Sequence, residues 1–205
     1  MGCRIFFDAN RENSQKCKEL QKIEIDKLAD WEDQTASEFS PSVVHDGEIL
    51  YQQIVDPTHL EPDGRNLKPT AFQDSANKGM STHRAEHIEW DELIELGKKR
   101  ASDFNTTNPE RPKRSLWGFA KFLTEDVRRI VAEPEGGRHY FVYDTANETD
   151  KSHADICQGV AGNKIVERAI RASLFDLAKG ALIKLEDSLD VANSDPMSAA
   201  LADAA

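Results

Sequence analysis

The sharpest local pattern of chemically active side chains spans residues 83–87, HRAEH, which matches the H-x-x-E-H arrangement of inverted zinc peptidases. On a helix, residues four apart share a face, so the two imidazoles would bind one Zn²⁺ while the glutamate activates its water. This pattern predicts a metal-assisted hydrolase. The expected metal ligands are His83, Glu86, His87 and, from elsewhere in the chain, Glu167 or His153.

A second interpretation of the same residues is structural. Met80, Ser81 and Thr82 extend naturally into a strand that runs through Arg84, and on a strand the two histidines share a face but lose the helical geometry. Six histidines in a chain of 205 residues also produce such a pattern by chance, and the peptidases that carry it are larger. In this interpretation the histidines are half exposed at the start of a helix.

Polar residues around a predicted turn form a second candidate site. Residues 62–64, Pro-Asp-Gly, have the composition of a tight turn, and sites tend to lie on turns held by a scaffold. An arginine there would hold a phosphate or carboxylate through two hydrogen bonds, which predicts a transferase or hydrolase of a nucleotide-like ligand. The expected catalytic residues are His59, Arg65 and His153, with Asp63 and Asp144 beside them.

His153, Asp155 and Cys157 alternate, so on a strand all three project to one face. One interpretation is a cysteine nucleophile activated by His153. The other is that Ala154 and Ile156 point into the core while the polar residues face water. No serine lies in a G-x-S-x-G context, so the sequence predicts no Ser–His–Asp triad.

Hydrophobic periodicity predicts the elements that position these residues. Strands and helices alternate without a regular βαβ rhythm, and no glycine-rich phosphate loop follows a strand. We therefore expect an α+β fold with a small mixed or antiparallel sheet, covered on one face by a long C-terminal helix. Strands are predicted at 5–7, 48–55, 67–72, 115–123, 139–143 and 153–160, and helices at 14–32, 90–104, 124–131 and 163–185.

Composition suggests three parts. Residues 1–40 are predicted to be an N-terminal strand and helix appendage with a linker, because their helix has only a thin apolar stripe and residues 34–42 are small and polar. Residues 41–190 form a single α+β domain. Residues 191–205 are rich in Ala, Ser and Asp and are predicted to be a disordered tail.

The charge balance constrains the partners. With 37 acidic and 26 basic residues the net charge is −11, which repels nucleic acid and anionic membranes. Three unpaired-looking cysteines indicate a reducing compartment, and no apolar run approaches the length of a membrane span. We expect a cytoplasmic protein that binds neither membrane nor nucleic acid, with an oligomeric state that the sequence leaves open.

Short motifs at residues 49–52, 63–65, 71–72 and 152–156 combine into an L-Y-x-Q, D-G-R, A-F and H-A-[DE]-I skeleton. The chain resembles a scattered set of small bacterial proteins with that skeleton, over about Gly47 to Ala178. The resemblance implies a bacterial or phage-related source and a compact α+β domain. It implies no chemistry.

The leading functional hypothesis is a binding or regulatory module that acts through a protein partner. It follows from the acidic balance, the thin-striped N-terminal helix and the lack of a motif with tight catalytic spacing. The zinc hydrolase and the enzyme acting on a nucleotide-like ligand are the alternatives.

Overall fold

Within the part of the chain that the structure describes, six strands form one open sheet in which every neighbouring pair is antiparallel. The computed structural model describes residues 2–131, 137–162 and 164–185. The α+β class and the antiparallel alternative are confirmed. The sheet order is β4-β5-β2-β1-β3-β6, with β1 at Ile49–Asp56, β2 at Met80–Arg84, β3 at Ser115–Leu123, β4 at Tyr140–Asp144, β5 at His153–Gln158 and β6 at Leu182–Lys184.

Helices connect the strands and cover both faces of the sheet. Two short 3₁₀ helices, Gln73–Ala76 and Ala85–His87, flank β2. The α-helices are α1 at Cys3–Ala9, α2 at Lys16–Leu20, α3 at Ile25–Glu32, α4 at Trp90–Thr107, α5 at Thr124–Arg128 and α6 at Lys164–Lys179.

One face of the sheet carries the larger hydrophobic core. Side chains alternate along each strand, so Leu50 and Ile54 of β1 point to the same side as Ala154 and Ile156 of β5. Burial of these side chains away from water is the main force that stabilises this layer. The loop after β1, the α5 region and α6 close the layer, with Leu60, Phe72, Val127, Ile170, Leu174 and Ala178.

The opposite face is covered by two separate groups of helices. The segment α1 to α3 packs on β4 and β5, where Phe7 contacts Tyr143 at 4.7 Å between ring centroids. Farther along the sheet, Trp90 of α4 packs on Tyr51 and Phe119. The strip over β2 and the start of β5 lies between these two coverings, and its side chains are polar.

Several predicted elements are wrong in the N-terminal third. Residues 5–7 are helical because Phe6 and Phe7 pack against Trp31 and Tyr143, and so short an apolar run does not distinguish strand from helix. The predicted helix at 14–32 is two helices, α2 and α3. Residues 67–72 form a single bridge and turns rather than a strand, and β6 was not predicted.

Residues 1–40 carry their own hydrophobic core, which they share with the sheet. Cys17, Leu20, Leu28 and Trp31 are buried against β4 and β5, so the thin apolar stripe has its packing partner within this chain. That this segment can be removed stays a prediction, as does a C-terminal helix covering a whole face. The predicted tail at 191–205 lies outside the described residues.

Candidate functional site

His83 and His153 meet on the polar strip between the two helical coverings. They are direct neighbours in the register of β2 and β5, and their ring centroids are 6.1 Å apart at nearly right angles. The sequence placed one in a metal site and the other in a catalytic site. The fold brings them into one cluster.

The hydrogen bonds of His153 indicate which tautomer its neutral ring adopts. Its Nδ1 lies 2.9 Å from the Thr145 hydroxyl and 3.3 Å from the Thr145 carbonyl oxygen, and its Nε2 lies 3.0 Å from Ser81 Oγ. A carbonyl oxygen only accepts, so in the neutral ring Nδ1 carries the proton and Nε2 accepts from the Ser81 hydroxyl. The imidazole is therefore oriented to take a proton from Ser81.

A buried ion pair, Lys16–Asp155, lies next to the hydrogen-bonded His153. Lys16 Nζ lies 2.5 Å from Asp155 Oδ2, and both side chains are less than a tenth exposed. Burial opposes both charges, but each charge stabilises the other, so the pKa of Lys16 is raised and the pKa of Asp155 is lowered. The Thr145 hydroxyl also lowers the pKa of Asp155. Polar side chains thus follow one another from Lys16 to Ser81.

These polar side chains line two adjoining cavities of about 320 Å³ and 280 Å³, between the N-terminal segment and the sheet. Gly79 lies at the edge of the second cavity with a φ of +90°, and a Cβ there would approach Asp155 Cγ to 3.0 Å. Glycine therefore permits both the backbone turn and the close approach. Both cavities are lined by Arg11, Glu12, Lys16, His153 and Asp155, the first also by Thr145 and the second also by Lys78 and Ser81.

His83 lies deeper and is closed to solvent. Arg100 donates to its Nε2 at 2.9 Å, so this nitrogen accepts and the neutral ring carries its proton on Nδ1, which faces Ser152 and Asp150. Burial lowers the pKa of His83, while Asp150 opposes that effect. With Gln53 also at Nε2, no ring nitrogen of His83 is left for a ligand.

The predicted metal site does not have the expected geometry. The H-x-x-E-H pattern falls on the end of β2 and the 3₁₀ turn at Ala85–His87, because residues 80–83 pair with β5, so the helical placement is wrong. Glu86 is exposed, and His83 is engaged by Arg100. Over the residues that the structure describes, no group of three His, Cys, Asp or Glu side chains is placed to hold a metal ion. The Glu167 side chain lies outside that description.

His59 and Arg65 do not join His153. His59 lies beside Val55, whose N–H donates to its Nδ1 at 3.2 Å. That position is on the order of 13 Å along β1 from the His83–His153 row and two strands across. Arg65 is exposed in the turn at Asp63, and neither residue lines the cavities at His153. The structure therefore does not bring the three residues together at the cavities beside His153.

The two interpretations of β5 are each partly wrong. Cys157 is fully buried, and burial raises its pKa well above the usual range, so it is not an activated thiolate. Ala154 and Ile156 do point into the larger core, as predicted. The polar residues on the other face meet the N-terminal segment rather than water.

Sequence reasoning missed Ser81 and Lys16. Ser81 and His83 alternate on β2 as His153 and Asp155 do on β5, which is a signal for a shared polar face. The pairing of those strands, and the docking of Lys16 from 139 residues away, carried no local signal.

No protein-family model matches the sequence, and neither a curated protein nor a solved structure was found that matches it. Among the helices in the described ranges, none has the length and apolar character needed to cross a bilayer.

Proposed function

We propose that the protein is a binding module for a small ligand that carries a phosphate or carboxylate group, held in the cavities beside His153. The observation that carries the proposal is the buried Lys16–Asp155 pair, which lies at a cavity wall and connects through Thr145 to a half-buried imidazole. Perturbed charges that border a cavity are typical of functional sites.

The charges around the cavities favour an anionic group. The cavities are lined by three basic side chains, Arg11, Lys16 and Lys78, and by two acidic ones, Glu12 and Asp155. Their lining is therefore more basic than acidic, although the whole chain is strongly acidic. The ion pairs of Arg11 and Lys78 with nearby aspartates are exposed, and exposed pairs contribute little free energy. A ligand phosphate or carboxylate can therefore replace those aspartates at small cost.

Isothermal titration with inorganic phosphate, adenosine monophosphate and citrate tests this proposal. Lys78→Ala is expected to raise the Kd of the ligand that binds by about tenfold, the effect of losing one charge-assisted hydrogen bond. Lys98→Ala is the matched control, because Lys98 has nearly the same side-chain exposure, 56% against 57%, and a similar ion pair on α4. Absence of binding by all three probes, or equal effects of the two variants, would refute the proposal.

A protein partner is the second candidate. The N-terminal stripe no longer supports it, but Ile25 and Val131 are 41% and 49% exposed. Ile25 Cδ1 approaches Gly137, next to the residue that bridges to Val131, so the two side chains lie in the same region. A specific partner retained by the unmodified protein and lost by Ile25→Glu would support this function. Identical retention by both would count against it.

A further inference from the structure

We propose that Ser81 is a nucleophile that accepts an acyl group from an ester, with His153 as its general base. The inference deepens the proposed function and rests on it, because it assigns a reaction to the same cavities. The expected substrates are esters that also bear a phosphate or carboxylate group.

The geometry at Ser81 supplies the nucleophile and its base. Ser81 Oγ lies 3.0 Å from the nitrogen of His153 that lacks a proton, which is within reach for direct proton transfer. Ser81 is exposed on β2 and lines the second cavity, so an ester carbonyl can approach its oxygen. His83, by contrast, lies within 3.1 Å of Ser152 but is closed to solvent.

The groups behind His153 stabilise the imidazolium that forms. The hydroxyl and carbonyl oxygens of Thr145 accept hydrogen bonds from the Nδ1–H of His153. Asp155 also interacts electrostatically with His153, so its negative charge favours the imidazolium, in the role that a carboxylate has in a serine hydrolase triad. Lys16 holds Asp155 in its ionised form.

The reaction balances without a further reagent except water. Ser81 Oγ attacks the carbonyl carbon while its proton moves to His153 Nε2. The bond to the leaving alcohol breaks, and that alcohol takes the proton from His153, which leaves an acyl ester on Ser81. Water then gives a proton to His153 and attacks the acyl carbon; Ser81 recovers the proton as the carboxylic acid leaves. Lys78 and Arg11 supply positive charge for the oxyanion.

Incubation of the full chain with p-nitrophenyl acetate tests the step. The expected result is release of p-nitrophenol together with the mass of one acetyl group, mapped to Ser81 by peptide mass spectrometry. Ser81→Ala should abolish that label. Ser115→Ala, an exposed serine on β3, should leave it unchanged. Because Ser81 is exposed, the alanine variant is expected to keep the unfolding midpoint of the parent protein.

His153→Gln separates a base from a structural contact. Loss of a general base should slow acetylation of Ser81 by about a hundredfold or more. If His153→Gln fails to fold, the Ser81→Ala result still decides.

Acetylation of lysines or other histidines without Ser81, or a rate that Ser81→Ala leaves intact, would overturn the inference. The two proposals fail separately. Acetylation of Ser81 without binding of phosphate, adenosine monophosphate or citrate removes the anionic ligand and retains the nucleophile. Binding of an anion without acetylation of Ser81 removes the nucleophile and retains the anionic ligand.

Discussion

Two buried charge clusters lie on opposite faces of the sheet: one lines a cavity, and the other is closed to solvent. Arg84 of β2 is fully buried and directs all its N–H groups to protein acceptors, including both oxygens of Glu48 and the carboxylate of Asp144. On the other face, the Lys16–Asp155 pair continues through Thr145 to His153 and the exposed Ser81.

The difference separates a structural cluster from a candidate site. Burial of charge alone does not indicate function, because Arg84 is fully buried and its partners Glu48 and Asp144 are each 2% exposed, yet the cluster faces no solvent. The N–H groups of Arg84 have their acceptors within the protein. Its Nη1 and Nη2 donate to the backbone carbonyl oxygens of Ser42 and Val43, which connects that segment to the sheet. The cluster at His153 instead ends at atoms that a ligand can reach.

Replacing Arg84 should produce the largest effect on stability. Arg84→Met leaves two carboxylates buried without their cation, which typically costs about 3–5 kcal/mol in free energy of unfolding. Urea denaturation measures the loss. Arg129→Met serves as the control, since Arg129 is 69% exposed and its pair with Glu125 should contribute less than about 1 kcal/mol. Similar losses for both variants would show that the Arg84 cluster is not a structural anchor.

Replacing Lys16 should have a smaller, pH-dependent effect. Lys16→Met leaves Asp155 charged and buried, so we expect a loss of about 3 kcal/mol at neutral pH. In the parent protein, Lys16 lowers the pKa of Asp155. The stabilisation that ionised Asp155 contributes is therefore complete above the ordinary aspartate pKa, and it is lost as the pH falls through the lower pKa of the folded state. Without Lys16, burial raises that pKa and protonation relieves the cost.

The free energies of unfolding of the parent protein and of Lys16→Met should therefore converge as the pH falls. Urea denaturation of both across the acid range measures this convergence, and hydrogen exchange should show faster opening of α1 to α3 in Lys16→Met. A difference that stays constant with pH would mean that Asp155 is not ionised against Lys16.

The smallest expected effect on stability concerns His59, a histidine outside both charge clusters. Burial lowers its pKa to about 4, so the folded state binds fewer protons than the unfolded state between that value and 6.5. Its stabilisation is present above pH 6.5 and lost as the pH falls toward 4, by at most about 3 kcal/mol. The advantage of the parent over His59→Leu should shrink across this interval. An advantage that stays constant across this interval would contradict the expectation.

The sequence predicted the regular elements well where periodicity was long. Strands β1 and β3 and helix α4 were found at nearly their observed ends, because their apolar residues follow a clear period of two or of three and four. The N-terminal segment failed because its helices are five to eight residues long and obtain their order from the sheet.

The candidate site was only half predictable. His153 was selected from its alternation with Asp155, but Ser81 and Lys16 were not, since they lie 72 and 139 residues away from their partners. Strand register and helix docking bring such residues together, and both depend on the whole fold. The zinc motif failed for the related reason that pairing with β5 places residues 80–83 in a strand.

The distance in sequence between Lys16 and Asp155 also matters while the protein is being made. Synthesis proceeds from the N-terminus, so Phe6, Phe7 and Trp31 leave the ribosome long before β4 and β5, the strands that cover them, exist. Until residue 158 has emerged, these aromatic side chains lack the strands against which they are buried in the folded protein. The core of the first forty residues is thus completed only after β4 and β5 have been synthesised.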